Sequence, residues 1–165
     1  MIKFLECDVF ESGADVICHQ VNCKGVMDSG VAKQIRDKFT YVYDVYKQKC
    51  SQTPTRKLLG TSQYVPVTTS EAPAFLGVFN LFGQKNFGHK CKRYTDYEAL
   101  RRSFSKMKNA MDGLFEMTKK RYTIAVPYLI GCGRSGGEWD VVYDIICDVF
   151  SDCRYDILIC KHKEG

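Results

Sequence analysis

The sequence predicts an α/β fold, with helices layered on both faces of one sheet. Three observations point to it. Six short runs rich in Val, Ile, Phe and Tyr alternate with stretches of helical period, the pattern of an α/β layer structure. The run Val16–Val21 is nearly continuous in apolar character, as expected for a strand covered on both faces. The chain has 165 residues, 45% of them hydrophobic, which suits one domain with a full core. A single domain over 1–165 is therefore expected.

The strand-like runs are Ile2–Glu6, Val16–Asn22, Ser62–Val67, Phe75–Phe82, Thr123–Tyr128 and Asp156–Lys161. Helices are expected over Ser29–Phe39, with Ser29 as cap, and over Tyr41–Lys49. The longest is Asp96–Thr118, where Tyr97, Leu100, Phe104, Met107, Met111 and Leu114 recur at three- and four-residue steps and form one apolar stripe. Thr95 or Asp96 can cap it, and Glu98 follows Thr95 by three, as in a capping box. The last helix is Glu138–Phe150, with Trp139, Val142, Ile145, Ile146 and Val149 inward. Thr53–Lys57 and Thr68–Pro73 read as loops.

Composition excludes some classes. No apolar run approaches the roughly 20 residues of a membrane span, and the strand-like start leaves no secretory signal. Nine cysteines occur without a CxxC pair. Cys18, Cys147 and Cys160 sit in apolar patterns, where a thiol behaves as a small hydrophobe. A zinc site is not expected, no cofactor is called for, and reduced thiols point to the cytoplasm. The net charge of +5 fits an anionic ligand or a solvated surface.

Ligands of α/β sheets bind at the carboxyl ends of the strands, and two glycine-rich segments follow strands. The first is Asn22-Cys23-Lys24-Gly25-Val26-Met27-Asp28-Ser29-Gly30-Val31-Ala32. Free N–H groups and the dipole of the following helix can make such a turn an anion site, although glycines in a strand-to-helix turn are more often just turn residues. The second is Leu129-Ile130-Gly131-Cys132-Gly133-Arg134-Ser135-Gly136-Gly137-Glu138-Trp139. So many glycines cost backbone entropy that a mere connection need not spend. Successive N–H groups here would form an anion nest. The loop is neither a Walker loop nor a dinucleotide fingerprint. Two such loops at one sheet edge suggest a diphosphate held between them.

In this order the motifs resemble a macrodomain from about Ile2 to Lys161. Glu6-Cys7-Asp8-Val9-Phe10 is similar to the family's adenine-recognising segment, which would put Asp8 on the adenine amine with the backbone of Val9 beside it. His19-Gln20-Val21-Asn22-Cys23-Lys24-Gly25 resembles the motif of the branch that holds ADP-ribose 1''-phosphate phosphatases and terminal ADP-ribose protein glycohydrolases. Asp28–Ala32 and Pro127–Trp139 resemble the two phosphate loops. The resemblance implies a three-layer α/β/α macrodomain with a central mixed, mostly parallel sheet of about six strands. It implies ADP-ribose as ligand, free or on a protein or nucleic acid, and a monomer away from membranes. The implied ligand-binding set is Asp8, Val9, Gln20, Val21, Asn22, Met27, Ser29, Gly30, Val31, Pro127, Ile130, Gly131, Cys132, Gly133, Arg134, Ser135 and Gly136.

The chain departs from that branch where catalysis is concerned. Its glycohydrolases use a lysine after the strand corresponding to Phe75–Phe82 and an aspartate in the second loop. Gln84 and Ser135 stand there instead, with Lys85 one residue away. Candidate catalytic residues are thus His19, Asp28, Gln84 and Ser135. His19 can activate a water near neutral pH, or be a satisfied histidine at a strand end. Asp28 can orient a water, or be a turn residue. Asn22 and Gln84 suit ribose hydroxyls, because amides do not titrate. Lys85, His89, Lys90, Lys92 and Arg93, with Phe87 and Tyr94 among them, form a basic loop that either flanks an anionic partner or is simply solvated. Three readings follow: hydrolysis of an ADP-ribose conjugate, ADP-ribose binding without turnover, and ADP-ribose 1''-phosphate phosphatase activity.

Overall fold

In the computed structural model, which describes residues 1–163, six strands form one sheet. They are β1 (Ile2–Glu6), β2 (Val16–Val21), β3 (Ser62–Pro66), β4 (Gly77–Phe82), β5 (Thr123–Pro127) and β6 (Asp156–Lys161), in the order β1-β6-β5-β2-β4-β3. Every pairing is parallel except β3 with β4. The sheet is mixed and mostly parallel, as expected. The parallel strands all end at one edge, so the loops that leave them converge there.

Helices cover both faces. On one side α4 (Tyr97–Thr118) and α5 (Trp139–Val149) pack on Val16, Cys18, Phe79, Leu81, Ile124, Val126, Ile157 and Ile159. Leu100, Phe104, Met107 and Met111 of the α4 stripe are buried in that core, with Tyr97 and Leu114 at its margin. On the other side lie α1 (Gly30–Lys38) and α2 (Thr40–Gln52), over Ile17, Val65, Val78, Ala125 and Leu158. The alternation of side chains along each strand divides these cores. Neighbours on β2 therefore face different layers.

Three local expectations are corrected. Thr53–Lys57 is not all loop: a one-turn helix, α3, spans Thr55–Leu58. Pro54, with φ at −58°, enters it, since proline's fixed φ suits the start of a helix. Ser29 takes the cap position of α1 but makes no side-chain cap bond. The capping box at α4 does not form. Asp96 caps Ala99 N, while Thr95 turns away to donate to the Gly131 carbonyl at 2.7 Å. A short 3₁₀ turn at Val9–Glu11, capped by Asp8, had no sequence signal of its own.

Candidate functional site

A cleft of about 500 Å3 opens at the carboxyl edge of the sheet. The ends of β2 and β5 form its floor, and the two glycine-rich loops form its walls. The first wall is Asp28–Ala32. In it the N–H groups of Gly30, Val31 and Ala32 have no hydrogen-bond partner among the described residues, because the first turn of a helix has no preceding carbonyls. The second wall is Gly131–Ser135. Gly131 sits at φ 74° and Gly136 at φ 75°, which turns the chain back so that Gly137 N bonds the Gly131 carbonyl at 2.9 Å. Gly133, Arg134 and Ser135 then present three successive N–H groups with no partner among the described residues. Such a run of amides is the arrangement expected of an anion nest.

A hydrogen-bond network fixes the second wall. Ser135 Oγ donates to Gln84 Oε1 at 2.7 Å, and Gln20 Nε2 donates to the same oxygen at 2.7 Å and to Thr95 Oγ1 at 2.9 Å. Tyr94 N and Thr95 N both donate to the Ser135 carbonyl. Gln84 and Thr95 pair as an isolated bridge that closes the base of the basic loop. A Cβ at Gly136 would stand 2.6 Å from the Lys92 carbonyl oxygen, so that loop rests directly on the nest.

The candidate catalytic residues separate into three places. Gln84 and Ser135 touch each other at the cleft wall. His19 lines the floor but is only 2% exposed, and its Nε2 is 2.6 Å from Asn80 Oδ1. Burial pushes its pKa down to about 4, against the opposing effect of the Asn80 bond, so the ring is neutral at pH 7. Asp28 is exposed, and its carboxylate pairs with Arg36 at 2.6 Å. Lys85 is exposed and does not line the cleft, whereas Gln84 does.

Most of the expected ligand-binding residues line this cleft: Gln20, Val21, Asn22, Ser29, Gly30, Val31, Pro127, Ile130, Gly131, Gly133, Arg134 and Ser135. Asn22 is already occupied. Its Oδ1 accepts from Lys24 N and Tyr46 OH, and its Nδ2 donates to the Val26 carbonyl at 2.8 Å. It shapes the first loop more than it offers a free amide. Asp8 and Val9 line an adjoining recess of about 510 Å3, which shares Gly30, Val31, Pro127, Tyr128 and Leu129 with the cleft.

Three further residues of the expected set do not line the cleft. Met27 is fully buried with Val21, Cys23, Tyr46, Leu58 and Phe82. Cys132 packs toward the α4–α5 core, and burial raises its thiol pKa to about 11. Gly136 lines an adjoining basic recess with Lys90, Lys92, Arg93 and Arg134, which shares Gly88, His89, Gly133 and Arg134 with the cleft. Tyr128, Leu129 and Tyr94 also line the cleft, outside the expected ligand-binding set. The first two fill the unspecified positions of Pro127-x-x-Ile130. The backbone of Leu129, at φ 65°, has no sequence signal, since the left-handed region favours glycine. Trp139 meets Tyr128 edge-on at 5.0 Å and ties the start of α5 to the end of β5, as expected of it.

No family model matches the chain. Solved structures do resemble it. The macrodomain of Mycobacterium tuberculosis DarG aligns with a TM-score of 0.78 at 18% identity, covering 99% of both chains. The Thermosipho africanus DarTG structure in complex with ADP-ribose aligns at 0.78 and 20% identity, covering 99% of this chain and 42% of that one. This chain has the macrodomain fold. Among curated proteins, the macrodomain-fold chain is similar to an ADP-ribose 1''-phosphate phosphatase of Scheffersomyces stipitis. The two are 33% identical over 79 residues, 43% of this chain and 46% of the relative. It is also similar to a DNA ADP-ribosyl transferase–DNA ADP-ribosyl glycohydrolase fusion protein of Thermosipho africanus, at 29% identity over 160 residues, 88% of this chain and 38% of the relative. The chain thus spans less than half the length of either curated relative.

No helix among the described residues is long and apolar enough to cross a membrane.

Proposed function

We propose that this macrodomain-fold chain binds ADP-ribose and releases it from a conjugate. One observation carries the binding: two walls of unpartnered backbone N–H groups, Gly30–Ala32 and Gly133–Ser135, flank one cleft. Backbone amides in that arrangement suit a diphosphate. The recess at Asp8 and Val9, continuous with the cleft, suits adenine. Gln84 and Ser135 offer neutral oxygen and nitrogen atoms to ribose hydroxyls. The solved DarTG complex with ADP-ribose and the relatives named as phosphatase and glycohydrolase support the same ligand.

Release would join a water oxygen to the anomeric carbon of the distal ribose. The bond to the carrier breaks, the carrier keeps its electron pair, and the water proton passes to the carrier. A covalent lysine route has no support, since Lys85 is exposed and does not line the cleft. His19, neutral at pH 7, is suited to accept a hydrogen bond. The carrier is a protein or a nucleic acid; the recess of Lys90, Lys92, Arg93 and Arg134 beside the nest favours an anionic one. All nine cysteines are free thiols, which supports a reducing compartment such as the cytoplasm.

A second reading, binding without turnover, is favoured by the neutral Gln84–Ser135 pair. Calorimetry with ADP-ribose tests the shared premise, and absence of binding overturns both readings. Incubation with ADP-ribosylated protein, ADP-ribosylated oligonucleotide and ADP-ribose 1''-phosphate then separates them. Release of ADP-ribose from a macromolecule supports the hydrolase, release of phosphate supports a phosphatase, and binding with no release supports the module.

A further inference from the structure

His19 belongs to a chain of side chains whose orientation begins at one backbone carbonyl. Gln63, on β3, donates through Nε2 to the Val45 carbonyl of α2 at 3.4 Å. A carbonyl can only accept, so the amide nitrogen of Gln63 must face it and Gln63 Oε1 must face the other way. Asn80, on β4, donates Nδ2 to that oxygen at 3.1 Å. This turns Asn80 Oδ1 toward β2, where His19 Nε2 lies 2.6 Å away. An oxygen with no hydrogen needs a donor, so the ring proton of neutral His19 resides on Nε2. Nδ1 is left as a bare lone pair, and it is buried with no hydrogen-bond partner among the described residues.

The register of the sheet makes this relay possible. His19 pairs with Asn80 across β2 and β4, and Asn80 pairs with Gln63 across β4 and β3. The three polar residues thus stand side by side on three adjacent strands. Asn80 is fully buried. Asn80 and Gln63 do not line the cleft, whereas His19 does. A buried acceptor without a donor costs stability, and such groups persist where a ligand or a reacting molecule supplies the missing partner.

We infer that Gln63 and Asn80 are positioning residues, which lock His19 as the Nε2–H tautomer so that Nδ1, buried beside the floor of the cleft, is the acceptor left for a hydroxyl or water donor. The assignment rests on the ADP-ribose reading for the identity of the donor, but not for the tautomer. The locked ring accepts and does not donate on its Nδ1 side. His19 therefore acts on a water or a ribose hydroxyl by taking a hydrogen bond.

Imidazole 15N spectra of the free protein at neutral pH test the lock. The expected signature is a protonated Nε2 and an unprotonated Nδ1. The opposite tautomer, or an even mixture, overturns the inference. Gln63→Leu removes the anchor and frees Asn80 to flip, so a mixture of tautomers is expected there. An unchanged, single Nε2–H signature in that variant overturns the relay. Gln63→Glu keeps an oxygen for Asn80 Nδ2, so retention of the Nε2–H tautomer is expected there; its loss argues against the proposed orientation. Adding ADP-ribose to the unmutated protein is expected to shift the Nδ1 resonance as a donor arrives. Binding without such a shift overturns the acceptor role, while failure to bind leaves the tautomer result standing and counts against the ligand reading alone.

Discussion

Ser135 Oγ and Gln84 Oε1 meet at 2.7 Å although 51 residues separate them. The bond joins the end of β4 to the second glycine-rich loop at the one wall of the cleft where the related glycohydrolases are expected to hold a lysine and an acid. Both partners are neutral. Because Gln84 Nε2 donates to the Asn86 carbonyl, its oxygen faces Ser135, and the serine proton is committed to it. Ser135 therefore offers lone pairs to the cleft and has no base to activate it as a nucleophile.

Ser135→Ala is expected to keep the fold, because the Ser135 carbonyl still accepts from Tyr94 N and Thr95 N. The loss of one hydrogen bond, worth about 1 kcal/mol, should weaken ADP-ribose by about fivefold in calorimetry. Unchanged affinity would remove Ser135 from the ligand contacts.

Lys85→Ala should leave affinity and any turnover within about twofold of the unmutated protein, as for most exposed substitutions. Loss of turnover with binding intact would bring the lysine into the chemistry after all. Single-turnover assays on an ADP-ribosylated carrier read this directly.

Gly133→Glu should abolish ADP-ribose binding while the protein stays folded. A Cβ at Gly133 meets no atom within 4 Å, so the loss would come from a carboxylate in the amide nest and not from steric damage. Thermal melting beside calorimetry separates the two. Retained affinity would contradict the placement of the diphosphate.

Asp8 has a structural duty besides the expected one, since its Oδ1 accepts from Phe10 N at 2.9 Å and caps the 3₁₀ turn. Asp8→Ala should therefore lower stability by about 1 kcal/mol as well as weaken adenine recognition. Asp8→Asn keeps an oxygen for the cap. It should restore most of the stability without restoring the preference of the site for adenine over guanine nucleotides, measured by competition.

The buried His19 predicts acid sensitivity. Its folded pKa is pushed down to about 4 from an ordinary 6.5, so the unfolded chain binds the proton first. The stabilisation is complete above pH 6.5 and is lost as pH falls from there toward 4. Its size is about 3 kcal/mol. Denaturant titrations across that window should show a steeper loss for the unmutated protein than for His19→Asn. Parallel pH profiles for the two would contradict it.

The layer architecture and both glycine-rich walls were legible because periodicity and glycine content are local signals. The three- and four-residue spacing of Tyr97, Leu100, Phe104, Met107 and Met111 marks the buried face of α4. The polar network was not legible. Gln20, Gln84, Thr95 and Ser135 are far apart in sequence, and nothing local says that their side chains converge. Met27 misled for a related reason: its neighbours line the cleft, but the tight turn sends its own side chain into the core. Likewise nothing local marks Asn80, a polar residue within an apolar strand, and only the register sets it beside His19.

The bridge between Gln84 and Thr95 turns residues 85–94 into a closed handle. That handle is fastened to the amide nest through Ser135 and seated on Gly136. A macromolecule that grips Lys90 and Lys92 so as to move the handle must also reshape the nest. Reciprocity then requires that a nucleotide in the nest alter the grip by the same factor. Recognition of the nucleotide and of its carrier would then be one coupled equilibrium.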